Sequence, residues 1–185
     1  MDVFITKLNE DNVSQIRPID DSFLVDSILI FTLADRQYTY TLEPIASCEK
    51  RYSDDPYGDA ADGNYGDDME HPDRAIYLAF ADRRFAGLIQ LKRNWNNYAL
   101  VEDIKVDRAY RRHGIGRRLI EQAKLWAAAG HMPGLMLETQ NNNVKACRFY
   151  ESCGFVIGGV DFHVYKGIDP DSGEAAVYWY YFLNE

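Results

Sequence analysis

The chain is poor in cysteine, in long apolar runs and in positive charge. Its 185 residues include three cysteines, Cys48, Cys147 and Cys153, an odd and sparse set. That fits reduced thiols in a cytoplasm better than a disulfide framework. The longest apolar runs, such as ILIF at 28–31, are far too short to span a bilayer, so no membrane partner is expected. The opening MDVFITKL has neither the basic stretch nor the apolar core of a secretory signal, and a cytoplasmic location is expected. Lys and Arg number 20 against 29 Asp and Glu. With net acidity and no wide basic stripe, nucleic acid is not the expected partner. His71, His131 and His163 have no mutual spacing that suggests a metal, and Cys147 and Cys153 read as small buried residues, so no metal is expected.

What is present is the composition of a globular protein: 46% hydrophobic and 14% aromatic residues, enough for one domain over 1–185 with a substantial core. The acid is concentrated. Residues 53–73, SDDPYGDAADGNYGDDMEHPD, hold eight carboxylates and no Lys or Arg, which leaves 21 acids against 20 bases elsewhere. Such an insertion reads either as a solvated loop or as a negative rim that attracts a polycation. The calcium-loop spacing is absent from it.

Alternation and turn residues predict a strand at 2–7, a helix near 10–20, a helix or irregular piece around 20–30, and one or two strands within 28–42. AIYLAF (75–80) and FAGLIQLK (85–92) read as a hairpin turned at Asp82, Arg83 and Arg84, followed by a strand over 98–106. Ile115, Leu119, Ile120, Ala123, Trp126 and Ala127 share one face of a helix that Gly130 closes. A buried strand at 134–139, an Asn-capped helix at about 143–152 and two strands, FVIGGVDFHVY and AAVYWYYF, complete the chain. This order predicts a mixed α/β sheet with helices on both faces.

Between the strand ending at Val106 and the strong helix lies Tyr110–Leu119, YRRHGIGRRL. Glycines at 114 and 116 allow close backbone approach, and the helix start turns amide N–H groups and a positive dipole end outward. Arg111, Arg112 and Arg117 add charge suited to phosphate oxygens. The combination points to a bound phosphate or diphosphate. Neither a P-loop nor a full dinucleotide fingerprint is present, and taken alone the turn reads as a plain helix start with exposed arginines.

The turn does not stand alone. VEDIKV, then Arg111-x-x-Gly114-x-Gly116, a helix, Asn143-x-x-Ala146-x-x-x-Tyr150 and Gly154-Phe155 resemble, in order and spacing, the GNAT superfamily of acetyl-CoA-dependent N-acetyltransferases. GLMLETQNNNVKACRFYESCGFVIGG with Asp161, NWNNYALVEDIKV, AAVYWYYF and the early IDDSFLVDS are similar to streptothricin acetyltransferases, with the likeness weakest over 30–75. The resemblance implies a single-domain α/β (α+β) fold with a mostly antiparallel central sheet and a splayed strand pair that binds acetyl-CoA. It implies coenzyme contacts from Ile104, Lys105 and Val106 through their backbone, from Arg111 to Arg117 including His113 and Ile115, and from Asn143, Ala146 and Tyr150. The implied substrate is a small cationic amine; monomer and homodimer both stay open.

Acetyl transfer from a thioester needs a polarised carbonyl, a proton acceptor for the amine and a proton donor for the thiolate. Backbone N–H groups at 104–106 suit the first. Tyr150 is the implied acid, although beside Phe149 it reads equally as a core aromatic. Glu102, Asp103 and Glu138 are the candidate bases; adjacent strand residues point to opposite faces, so only one of Glu102 and Asp103 is expected to face the site. Glu138, Asp161 and Trp179 are the candidate substrate contacts, Trp179 through a cation–π interaction. Acetylation of a protein lysine or N-terminus or of another small polyamine, and a non-catalytic acetyl-CoA sensor, remain as alternatives.

Overall fold

The computed structural model describes residues 1–51, 65 and 69–183. In chain order these form β1 (Val3–Lys7), β2 (Phe23–Ala34), β3 (Gln37–Lys50), β4 (Arg74–Ala81), β5 (Arg84–Arg93), β6 (Ala99–Val106), α1 (Ile115–Ala129), β7 (Gly134–Gln140), α2 (Val144–Ser152), β8 (Val156–Asp161) and β9 (Ala176–Phe182). Among the described residues the fold is a mixed α/β arrangement of mostly antiparallel strands with the two helices α1 and α2, in two compact units. Most of the acidic segment 53–73 lies outside the described residues.

The first unit holds 1–21, 65, 69–135 and 182–183 of the described residues. Its strands run β1-β4-β5-β6, each pair antiparallel. The β4–β5 hairpin turns on two residues, Asp82 and Arg83, both left-handed at φ 47° and 65°. A two-residue turn needs positive φ at both central positions to match strand twist; Arg84 already belongs to β5. One face of the sheet buries Leu8, Ile76, Leu78, Phe80 and Leu88 together with Tyr65, under Val13, Ile16 and Ile19. On α1 the buried stripe is Ile115, Leu119, Ile120, Ala123 and Ala127, as its spacing predicts, and it packs on β5 and β6.

The expected helix near 10–20 is not formed. Only a 3-10 turn, Val13–Gln15, appears there. Asn9 and Asn12 explain it: the Asn9 N–H donates to Asn12 Oδ1 at 2.9 Å, and Asn9 Oδ1 accepts from the N–H of Asp11 and of Asn12. Side-chain amides thus offer the backbone local partners that compete with a helix ladder.

The second unit holds 22–51 and 136–181 of the described residues. Residues 23–30, expected as helix or irregular chain, belong to β2, which pairs with β3 from Phe23↔Lys50 to Ala34↔Gln37. Asp35 and Arg36 make the turn at φ 50° and 63°. β-branched residues and alternate burial of Phe23, Val25 and Leu29 override the weak local signal. β7, β9 and β8 lie side by side in that order. Asn141 ties the unit together: its N–H and Oδ1 bond Ala175 O and N at 2.9 Å, its O accepts from Leu29 N at 3.0 Å, and its Nδ2 donates to Leu29 O at 3.3 Å. Asn143 caps α2, its Oδ1 accepting from Ala146 N at 3.2 Å. The expected strand through FHVY ends at Asp161; a 3-10 turn, Val164–Gly167, follows.

Candidate active site

The turn before α1 is built on a short lattice of bonds within the first unit. Asp107, just past β6, accepts from Ala109 N at 2.9 Å through Oδ1 and from Asp20 N at 3.0 Å through Oδ2. Asp20 O accepts from Arg108 N at 3.0 Å and from Arg111 Nη2 at 3.2 Å. Arg111 Nε donates to Val106 O at 2.9 Å. Arg111 was expected to hold phosphate; its guanidinium instead ties the end of β6 to the N-terminal segment, through Val106 O and Asp20 O. Burial lowers its proton affinity, while Asp20 and Asp21 work against that. The early IDDS segment is thus part of the site's frame, a role that no spacing rule signals.

Arg112 and Gly114 are left-handed, at φ 67° and 79°. They reverse the chain so that it enters α1 with exposed Arg112, His113, Gly114 and Arg117 around the helix mouth. His113 Nδ1 lies 2.9 Å from Arg111 O, an acceptor, so this nitrogen carries a hydrogen. A Cβ at Gly114 would meet nothing within 4 Å, so the residue is required for its conformation. The first helical bond runs from Arg118 N to Gly114 O at 3.1 Å, and the preceding amides lie at the positive dipole end. Ile115 is fully buried by its side chain; its contribution to a ligand is confined to its backbone. The donor set fits a diphosphate.

β6 departs from the simple strand expected. Its register with β5 jumps from Leu91↔Val101 to Gln90↔Asp103, a β-bulge at Glu102. The extra residue places Glu102 and Asp103 on the same face, where alternation predicted opposite faces. They differ in surroundings. Glu102 lies 3.3 Å from Arg74 Nη1 and 3.6 Å from Lys92 Nζ, neighbours across the sheet. Asp103 pairs at 3.0 Å with Lys105 Nζ. Burial raises the Asp103 pKa, Asp21 adds to the rise and Lys105 opposes it. Tyr65 is raised by burial as well, with Lys105 lowering and Asp103 raising. Of the two, Asp103 has the environment of a proton acceptor. At the end of β6, Gly87 faces Val106, and a Cβ there would stand 2.3 Å from Lys105 O. Only glycine lets the strands approach this closely, which fixes the backbone of Ile104, Lys105 and Val106.

In the second unit Tyr150 is buried, its ring 5.4 Å from Phe149, 5.8 Å from Phe155 and 6.3 Å from Trp179. Trp179 itself is 1% exposed. A ring so covered cannot offer its face to a substrate cation, so the expected cation–π contact gives way to a supporting place behind Tyr150. Ala146 stands one turn earlier on α2, and Asn143 caps the helix about a turn before that.

Glu138 accepts a short hydrogen bond from the Tyr165 hydroxyl. Although one side of Glu138 is open to solvent, crowding of its carboxyl raises its pKa most; Glu174 adds to this and the Tyr165 bond opposes it. Asp161 was expected to touch substrate; its Oδ1 accepts from His163 N at 2.7 Å and Val164 N at 3.2 Å. Its carboxylate therefore anchors the chain where it enters the 3-10 turn that carries Tyr165. Tyr178 is raised by burial, and next by the charges of Glu138 and Asp161. Tyr165 was missed because FHVY read as strand. Cys147 is buried against Gln140 O, and burial pushes its thiol up to about 12. Among the described residues no group of three or more His, Cys, Asp or Glu is placed to hold a metal ion.

The glycine-turned helix mouth, with its outward amides and exposed arginines, gives the first unit a site fit for a diphosphate-bearing ligand. The family model described as Acetyltransferase (GNAT) family matches residues 39–155. The chain belongs to that family and is a transferase. It is 36% identical over 178 residues to streptothricin acetyltransferase A of Bacillus subtilis (strain 168), covering 96% of this chain and 98% of that one. It is 35% identical to a streptothricin acetyltransferase of Escherichia coli, covering 93% and 92%. Among solved structures, a candidate streptothricin acetyltransferase of Bacillus anthracis str. Ames in complex with acetyl coenzyme A superposes with a TM-score of 0.90 at 47% identity, covering 98% of this chain and 100% of that one. A nourseothricin acetyltransferase gives 0.75 at 28% identity, covering 96% of both.

Proposed function

We propose that the chain is an acetyl-CoA-dependent N-acetyltransferase acting on a primary amine of streptothricin-type antibiotics, in their β-lysine part, and so confers resistance. The observation that carries this reading is the reach of the likeness. It extends over 96% of the chain, beyond the 39–155 span of the general family model, and so takes in parts of the chain that the general model does not match.

Acetyl-CoA, as cosubstrate, supplies an acetyl group activated as a thioester. Amides at the mouth of α1, with Arg112 and Arg117, bind its diphosphate. Backbone N–H groups of 104–106 are held rigid by the close β5–β6 approach and polarise a carbonyl. Asp103 accepts the proton that the substrate ammonium must lose, since an amine with a pKa near 10.4 is almost wholly protonated at neutral pH. Tyr150 supplies a proton to the departing thiolate. Glu138, held by Tyr165, binds a cationic group of the substrate. The amine attacks directly in a ternary complex, and Cys147, a thiol at about 12, forms no acyl-enzyme. Acetylation removes the positive charge by which the antibiotic makes its contacts.

A thiol-release assay with acetyl-CoA across streptothricin, aminoglycosides, polyamines and lysine peptides tests the reading. Streptothricin should be turned over with the highest kcat/KM, with a mass gain of one acetyl group. Turnover confined to peptides, or none with any amine while acetyl-CoA binds, would overturn it.

A further inference from the structure

The face of β6 that carries Glu102 also carries an ion pair within one strand, Lys105 Nζ to Asp103 Oδ2 at 3.0 Å. The two side chains are only 22% and 28% exposed. The groups facing Asp103 can be named from each packed element. Asp21 comes from the N-terminal segment, Tyr65 from the loop before β4, and the neutral Gln90 lies opposite it on β5. The neighbouring cations Arg74 and Lys92 are engaged by Glu102. A carboxylate in this setting, partly withdrawn from water and beside a second carboxylate, tends to keep its proton. Protonated, it could accept nothing from a substrate.

We propose that Lys105 is a positioning residue that holds Asp103 ionised and fixes the orientation of its carboxylate, so that Asp103 is ready to take a proton from the amine. The proposal rests on the reading of Asp103 as proton acceptor. It assigns the Lys105 side chain a task separate from its backbone. Without Lys105 the spot would attract a cation more strongly yet hold a proton more tightly. Binding and turnover should therefore separate.

The experiment compares wild type, Lys105→Met, Lys105→Arg and Asp103→Asn by the pH dependence of kcat/KM and kcat with streptothricin. In Lys105→Met the acid limb should move up by about one pH unit, the lower end of what loss of a neighbouring opposite charge produces. On that limb activity should fall roughly tenfold, recovering as pH rises, with KM for the amine unchanged or lower. Lys105→Arg keeps the charge and should restore the limb. A 13C-carboxyl NMR titration, with the Asp103 signal assigned by its loss in Asp103→Asn, reads the same shift in the free enzyme without activity. An Asp103 signal titrating at the same pH in wild type and Lys105→Met overturns the proposal. An acid limb that survives in Asp103→Asn instead overturns the assignment of Asp103, and the two failures are distinct.

Discussion

The hydroxyl of Tyr165 donates to Oε1 of Glu138, joining a 3-10 turn to a sheet strand through a bond between side chains. Asp161 anchors the entry to that turn and so helps set where Tyr165 stands. The bond opposes two influences that favour protonation of Glu138, crowding of its carboxyl and the nearby Glu174. Replacing Tyr165 with Phe removes the donor and lets Glu138 take up a proton at higher pH. Streptothricin should then bind more weakly by about 1 kcal/mol, roughly fivefold, a typical net value for one hydrogen bond. Calorimetric titration at pH 6 and pH 8 checks this, and the defect should be larger at pH 6. Equal affinity at both values would remove Glu138 from the substrate site.

Arg111 and Arg112 are adjacent in sequence and should fail in opposite ways. Arg111 donates to Val106 O and Asp20 O, so Arg111→Met leaves two carbonyls without their charged donor. A loss of roughly 1.5–3 kcal/mol in unfolding free energy is expected, the range for hydrogen bonds to charged groups. Arg112 is exposed. Arg112→Gln should leave stability within about 0.5 kcal/mol and raise KM for acetyl-CoA, the more so at low salt. Urea unfolding beside coenzyme kinetics separates the two. Equal destabilisation by both would contradict the division of labour.

The contrast shows where sequence reasoning ran out. Helix α1 was legible because one stripe of apolar residues at helical spacing leaves little choice, and the Gly114–Gly116 turn because its residues serve the backbone. The roles of Arg111, Asp161 and Trp179 were not legible, since a guanidinium, a carboxylate or an indole has the same spacing whether it meets a ligand or the protein. The bulge at Glu102 was invisible for a different reason. One extra residue in β6 changes no periodicity inside the strand, only its register with β5, and register is a property of the pair. Likewise Asn9 and Asn12 defeated a helix by local bonding that pattern counting does not see.

Gly114 offers a test of conformation without crowding. At φ 79° a Cβ would find open space, so Gly114→Ala introduces backbone strain alone. The left-handed region costs an L-residue roughly 1–2 kcal/mol, and thermal unfolding should show a loss of that size. If the chain relieves the strain by turning out of that region, the amides at the helix mouth move and KM for acetyl-CoA should rise as well. Unchanged stability together with unchanged KM would mean that the turn does not set the coenzyme site.

The three cysteines give the last test, because direct attack by the amine requires no thiol. Cys48 is exposed, while Cys147 and Cys153 are buried, and burial holds the Cys147 thiol at about 12. At pH 8 such a group is protonated in all but about one molecule in ten thousand, and protonated thiols do not alkylate at useful rates. Native protein treated with iodoacetamide should therefore gain one adduct, at Cys48, with acetyl transfer intact. Unfolded protein should gain three. Alkylation of Cys147 in the folded enzyme with parallel loss of turnover would revive an acyl-enzyme route, and the direct-attack mechanism would have to be withdrawn.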